Sequence, residues 1–400
     1  MFGTFFTLLI ALLLIAALLR GDFALTLIYL VVGALAAGMW WSRRALRQLE
    51  TQRRFSTHAF LGETVKVDLR LQNKGWLPIP WLELRETLPV ALVGPHSFQT
   101  VTNLGPRGKA QFEYFVQARK RGYYPIGPLS LSTGDILGLS SALQAQNQAE
   151  ALVVYPKIVP FTSMEIPSQS PQGTLRHRLP LFEDPTRALG KRGYTSGDSL
   201  RRIDWKSSAS AGQLQVKLFE PSIALETFIV LNLNAGDYYY RSRIDATELA
   251  IVIAASISNW IVAQKQMVGL MVNGHDPLAA DGRPQSVPPH KGKSHVMRLL
   301  ETLARAEMIE NSALVPLIQQ QRYQLAWGTT LIVITGTASS ALLDELYQAR
   351  RSGQNSILIL AGRDAPDQEA TRRAKSFGIP MISIATERDL NVWTKEIKHA

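Results

Sequence analysis

The chain has 400 residues, more than one hydrophobic core usually organises, and its 46% apolar and 19% charged residues exclude a disordered or collagen-like polymer. It contains no cysteine, which excludes disulfide staples, thiolate metal sites, iron–sulfur clusters and cysteine nucleophiles. The formal net charge of +11 leans weakly toward anionic lipid, nucleic acid or an acidic partner.

The N-terminus opens with two uncharged apolar runs, Met1–Leu19 and Phe23–Trp41, separated only by Arg20-Gly21-Asp22. Each is long enough for a helix to cross a hydrocarbon core of ~30 Å. Residues 1–42 are therefore expected to form a transmembrane hairpin, with spans at about 3–19 and 23–41, rather than a cleaved leader: no basic residue precedes the first run. Arg43, Arg44, Arg47, Arg53 and Arg54 follow the second run. The positive-inside rule then puts both termini, and residues 43–400, in the cytoplasm at the inner membrane, with Trp40 and Trp41 at the lipid interface.

Residues 43–155 read as an antiparallel β-sandwich. Thr64–Leu71 alternates apolar and polar residues, Trp81–Arg85 and Gln111–Val116 do likewise, and turn signals separate them at Asn73-Lys74-Gly75, Gly105-Pro106 and Gly127-Pro128. No catalytic cluster is visible there, so the segment reads as a spacer or docking module.

Residues 156–220 begin with a proline-bearing stretch to about 190, expected to be irregular. A dense constellation follows: Arg192-Gly193-Tyr194-Thr195-Ser196-Gly197-Asp198-Ser199-Leu200-Arg201-Arg202-Ile203-Asp204-Trp205-Lys206. Gly197-Asp198 has the chemistry of a turn with a capping aspartate. Seven basic residues lie between Arg187 and Lys217 and only Asp198 and Asp204 oppose them. Two readings stand: an anion site in which arginines grip phosphate or carboxylate, or an internal network holding a long loop, with Trp205 packed beneath it.

This run resembles the hallmark of the bacterial and archaeal family called domain of unknown function 58. The matching residues are Arg192, Tyr194, Gly197, Asp198, Arg201, Ile203, Asp204, Trp205, Lys206, Ala209, Leu214, Val216 and Glu220, with Ser210 where an arginine is common. An upstream signature is partly matched by Arg121-Gly122-Tyr123, Gly127-Pro128 and Asp135-Ile136-Leu137-Gly138-Leu139. The resemblance implies a membrane-anchored protein with a von Willebrand factor A-like domain, acting beside a MoxR-type AAA+ ATPase in a chaperone-like system that assembles or activates client protein complexes.

Residues 221–400 alternate apolar strands with amphipathic helices. The expected strands are 228–233, 268–272, 331–335, 357–360 and 381–384; the expected helices are 246–264, 294–306, 340–351, 368–377 and 387–397. Such alternation predicts an α/β domain with a mostly parallel sheet, whose ligand edge lies beyond the carboxyl ends of the strands. An A-like domain often binds a divalent metal there through D-x-S-x-S. Here the equivalent positions are Asn232, Asn234 and Gly236, and Thr335-Gly336 stands where a later aspartate is common; Asp237 is out of register. Hard cations prefer charged oxygen ligands, so no metal and no cofactor is expected.

No nucleophile elbow, phosphate loop or dinucleotide fingerprint occurs. The histidines are scattered, and His290 and His295 lie in a stretch read as a solvated loop. Asp198 and Asp204, amid arginines, suit ion pairing better than acid catalysis. The expectation is a non-enzymatic, membrane-anchored adaptor contacting lipid through residues 1–42. The alternative is an anion or phosphate receptor, or an enzyme, using the Arg192–Lys206 loop. Nucleic-acid binding is not expected, because no aromatic-studded groove accompanies the charge.

Overall fold

A computed structural model describes residues 22–93, 97–134, 141–146, 150–160, 183–195, 203–221, 226–279, 285–363 and 367–390. It divides into two compact units, Met1–Pro156 and Lys157–Ala400.

The first unit opens with helix α1 (Asp22–Arg47), longer than the expected 23–41 because Arg43, Arg44 and Arg47 continue it. Met1–Leu19, the other arm of the expected hairpin, lies outside the described residues. The Ser42 hydroxyl donates to the Gly38 carbonyl one turn back, at 2.9 Å. One face of the last turn is buried, where Ala45 and Leu46 join Leu49, Leu69, Leu84 and Leu131 in one core, while Arg44 and Arg47 stay exposed. Two residues expected at the membrane flank are held by this unit. The Trp41 indole N–H donates to the Pro78 carbonyl at 3.0 Å, and Arg53 is buried in an ion pair with Glu86.

Strands follow in chain order: β1 (Leu49–Arg54), β2 (His58–Phe60), β3 (Thr64–Asn73), β4 (Ile79–Thr87), β5 (Leu92–Val93), β6 (Ser97–Leu104), β7 (Lys109–Ala118), β8 (Gly122–Ile126), β9 (Leu129–Gly134), β10 (Ser141–Gln146) and β11 (Glu150–Tyr155). They make antiparallel sheets ordered β1-β3-β7-β5 and β10-β9-β4-β6, and a small sheet β2-β11-β8 in which β2 runs parallel to β11. The period-2 reading of β3 holds: Val65, Val67, Leu69 and Leu71 face inward while Lys66, Asp68 and Arg70 face out. Leu69 and Leu71 of one sheet meet Leu82, Leu84 and Leu131 of the other, the shared core of a sandwich. Fully buried Glu86 accepts from Arg53 and from the Tyr114 hydroxyl, tying β1, β4 and β7 together. Burial and the Glu86 charge push the Tyr114 phenol up.

The second unit starts with a hairpin of β12 (Glu183–Gly193) and β13 (Gln215–Pro221), with α2 (Trp205–Ala211) between them. Part of the stretch expected to be irregular is thus strand β12; residues 161–182 are outside the described set. Then come β14 (Glu226–Asn232), α3 (Arg243–Ala263), β15 (Met267–Asn273), β16 (Gln285–His290), α4 (Lys293–Arg305), α5 (Leu314–Arg322), β17 (Thr330–Thr335), α6 (Ser340–Arg351), β18 (Asn355–Ala361), α7 (Gln368–Ser376) and β19 (Met381–Ile384). The five expected strands and four of the expected helices are found within a few residues. The C-terminal helix expected at 387–397 lies mostly outside the described residues.

These strands form one sheet ordered β16-β15-β14-β17-β18-β19, parallel except for the edge strand β16. The central strands β14 and β17 are buried along almost their whole length, as expected for a parallel sheet covered on both faces. Phe228, Val230 and Val333 pack under α5, α6 and α7. Alternation sends Ile229 and Leu231 to the other face, where α3 crosses the sheet.

Two local readings are corrected. The loop expected around His290 is strand β16, whose Pro288 and Pro289 are tolerated because an edge strand has one unpaired side. His295 is buried in α4, its Nε2 within 2.7 Å of the Val268 carbonyl, and burial pushes its pKa down.

Candidate functional site

The chain leaves β14 toward β15 on one side and β17 toward β18 on the other, so the sheet order reverses between β14 and β17. In open α/β sheets such a switch point opens a crevice beyond the strand carboxyl ends. A crevice of about 180 Å³ lies there, lined by Asn232, Asn234, Asp237, Ser312, Thr335, Thr337 and Ser339, with Ala313, Leu314, Val315 and Leu342 as its apolar wall.

Asn232, the fully buried last residue of β14, organises the polar side. Its Oδ1 accepts from the Asn234 backbone N–H at 3.2 Å and from Asn273 Nδ2 at 2.8 Å. Because a backbone N–H can only donate, this pins the orientation of the amide. The Asn232 Nδ2 then donates to Asp237 Oδ2 at 2.8 Å and to Thr335 Oγ1 at 3.0 Å. Asn234 Nδ2 donates to the same Asp237 oxygen at 2.9 Å. Ser312 closes the ring, its hydroxyl donating to Asn273 and its N–H to Asn234 Oδ1.

Asp237 is therefore in place, contrary to its sequence register. The 3₁₀ turn Ala235–Asp237 folds it back five residues onto Asn232. Gly236 is exposed in that turn, where a ligating serine would have been needed. Tyr238 anchors the far end: its buried hydroxyl donates to the Asn232 carbonyl at 2.6 Å, and burial, with the Asp237 charge, pushes its pKa up. Gly336, after β17, lets the loops close, since a Cβ there would collide with the Asp237 carbonyl and the Tyr238 ring.

Asn232 and Asn234 meet at Asp237, and Thr335, noted in the sequence after the later strand, bonds Asn232. Asn273 and Ser312 carried no signal in the sequence. A divalent ion would need acceptor oxygens aimed at a common point. Asn232 instead presents donor N–H groups to Asp237 and Thr335, and Asp237 is the sole carboxylate among the described lining residues. The residues do not fit a metal. No grouping of three metal-ligating His, Asp or Glu side chains occurs among the described residues.

The signature run forms a different structure. Asp204 caps α2, accepting from the Ser207 N–H at 3.1 Å, and pairs with Lys191 of β12 at 3.0 Å. The cap first, then Lys191, pulls the Asp204 carboxyl down to about 2. Its backbone N–H donates to the Gln215 carbonyl, and the Ser208 hydroxyl bridges the Asp204 carbonyl and the Gln215 N–H, so the helix is laced to β13. Arg192 donates to the Thr195 hydroxyl at 3.0 Å and Tyr194 bonds the Leu214 carbonyl through its backbone. Trp205 does not pack beneath the motif: it is 68% exposed, and Lys206 beside it is exposed too. Among the described residues this corner holds the Lys191–Asp204 ion pair. Gly197, Asp198 and Arg201 are outside the described residues.

Fold and site define a doubly wound α/β unit with a polar crevice at its switch point, preceded by a β-sandwich and an apolar helix. Residues 190–326, which hold the end of β12, the signature corner and the Asn232 cluster apart from Thr335, match the family model described as "Protein of unknown function DUF58". The chain is 24% identical over 348 residues to the uncharacterized protein YeaD of Bacillus subtilis, covering 83% of this chain and 79% of that one. Among solved structures it is similar to the CARDB domain of the PF1109 protein from Pyrococcus furiosus (12% identity, TM-score 0.20, 26% of this chain and 86% of that one). It is also similar to proximal thread matrix protein 1 of the mussel byssus (10% identity, TM-score 0.32, 44% of this chain and 47% of that one).

Proposed function

We propose that this protein is a membrane-anchored, non-enzymatic adaptor that offers the carboxyl edge of its α/β unit to other proteins. The observation that carries the reading is the crevice between β14 and β17. It lies where such sheets bind ligands, yet its amides and hydroxyls are tied to one another and to one oxygen of Asp237, and the described lining presents no nucleophile–base pair. The mostly parallel sheet with its ligand edge at Asn232 supports a von Willebrand factor A-like assignment. Helix α1, apolar and lipid-length ahead of Arg43, Arg44 and Arg47, supports an anchor that leaves the rest of the chain in the cytoplasm. The family resemblance supplies the partner, a MoxR-type AAA+ ATPase, with client complexes as the third party.

The test is capture of the full-length protein in mild detergent, with and without a non-hydrolysable ATP analogue, read by mass spectrometry. An AAA+ ATPase recovered in a nucleotide-dependent manner is the expected result. Recovery of background proteins alone would count against the adaptor.

A further inference from the structure

If the unit is A-like, Asn232 stands where a metal-binding carboxylate is common, and the partner chemistry that fits then follows from the charge of the crevice's own side chains. In a metal-loaded site of this kind, the ion presents positive charge to the ligand and a partner's carboxylate completes its coordination sphere. Here the Asn232 amide stands between Asp237 and Thr335 and holds both with N–H donors, bridging the loops as an ion would, without contributing a charge. What remains is the charge of Asp237, the sole charged side chain among the described residues of the lining.

Among the described residues no cation pairs with Asp237: its Oδ2 accepts from two uncharged amides, and its Oδ1 takes no hydrogen bond there. Opposite it stand Leu314 and Val315 at the start of α5 and Leu342 in α6. One carboxylate beside an apolar wall suits a side chain with an aliphatic stem and a cationic head. It repels the carboxylate that a metal-loaded site would attract.

We propose that the crevice works without a metal ion and receives an arginine or lysine side chain from a protein partner, with Asp237 as counter-charge and Leu314, Val315 and Leu342 holding the stem. This inference rests on the reading of the crevice as a docking site and names the chemistry of what docks.

The probe is N-acetyl-arginine amide, titrated into full-length protein in mild detergent with labelled leucine and valine methyls. Saturable shifts of the Leu314, Val315 and Leu342 methyl signals are expected. Asp237→Asn, which keeps an acceptor for Asn232 and Asn234, should weaken the interaction by about fivefold, the weight of a partly exposed ion pair. Thr337→Lys, at an exposed lining position outside the amide cluster, should abolish it by supplying the cation from within. N-acetyl-glutamate should leave these signals in place, and so should manganese, whose paramagnetism would broaden them if it bound.

Shifts that ignore both substitutions, no shifts at all, or Asp237-dependent broadening by manganese would each overturn the proposal. The two readings fail separately. A partner captured in an Asp237-dependent way while the arginine probe fails would sink the basic-side-chain assignment alone. Capture indifferent to both Asp237→Asn and Thr337→Lys would sink the crevice as a docking site.

Discussion

Gly336 shows how one residue can set the geometry of the crevice. It follows β17, and its missing Cβ leaves room for the Asp237 carbonyl and the Tyr238 ring. Gly336→Ala must push the 232–238 loop away from the sheet. Overpacking of this kind costs about 1–3 kcal/mol, so the urea midpoint of the α/β unit should fall with the slope unchanged. Asp204 offers a second test. Its carboxyl lies below its ordinary value of 3.8, at about 2, because the ionised form accepts the Ser207 N–H and faces Lys191. A depressed carboxylate adds stability above its unfolded pKa and loses it as pH falls through the folded one. The cap of α2 should therefore loosen between about 4 and 2, and a carbon-detected titration should place the Asp204 midpoint near the lower figure. A midpoint at the ordinary value would mean that cap and ion pair are not formed in solution.

Two helices look alike by composition and differ in surroundings. α1 and α3 are both long and apolar enough to cross a membrane. The window in α1 is 11% buried, with Tyr29 and Leu30 exposed; that in α3 is 67% buried against the sheet and α4. An evenly apolar helix belongs either in lipid or at the centre of a fold, and neighbours decide which. Truncating Ile257, fully buried in α3, should open a cavity and cost about 2–5 kcal/mol. Leu30→Ala in α1 should leave the thermal unfolding of the α/β unit unchanged. Equal effects of the two would contradict the assignment of α3 as a core helix and α1 as a helix exposed to its surroundings.

For the whole molecule, the sequence carried the plan further than the site. The alternation in β3, the buried runs of β14 and β17, and the amphipathic period of α4 and α6 each encode which face meets a core, because burial is decided locally by pattern. The main strand–helix alternation of the α/β unit and three strands of the sandwich follow from that, whereas α5 and β16 were not read from pattern. Shorter-range signals misled where context outweighed them. Prolines near His290 suggested a loop, but an edge strand leaves one side of its backbone unpaired, and β16 accommodates them. Of the five arginines counted after the second apolar run, Arg53 is paired with Glu86 inside the sandwich.

From the sequence alone came the apolar N-terminal helix, the strand–helix alternation and the signature run. Those features are carried by residue identity and period, which need no partner to be read. The tertiary structure alone decided that Asp237 belongs with Asn232, that Asn273, Ser312 and Thr335 complete the ring, and that Trp205 faces solvent. Hydrogen bonds such as Asn232 to Thr335 join residues 103 apart in the chain. Such pairings exist only after parallel strands have been brought side by side, and their direction, donor to acceptor, is what gives the crevice its charge.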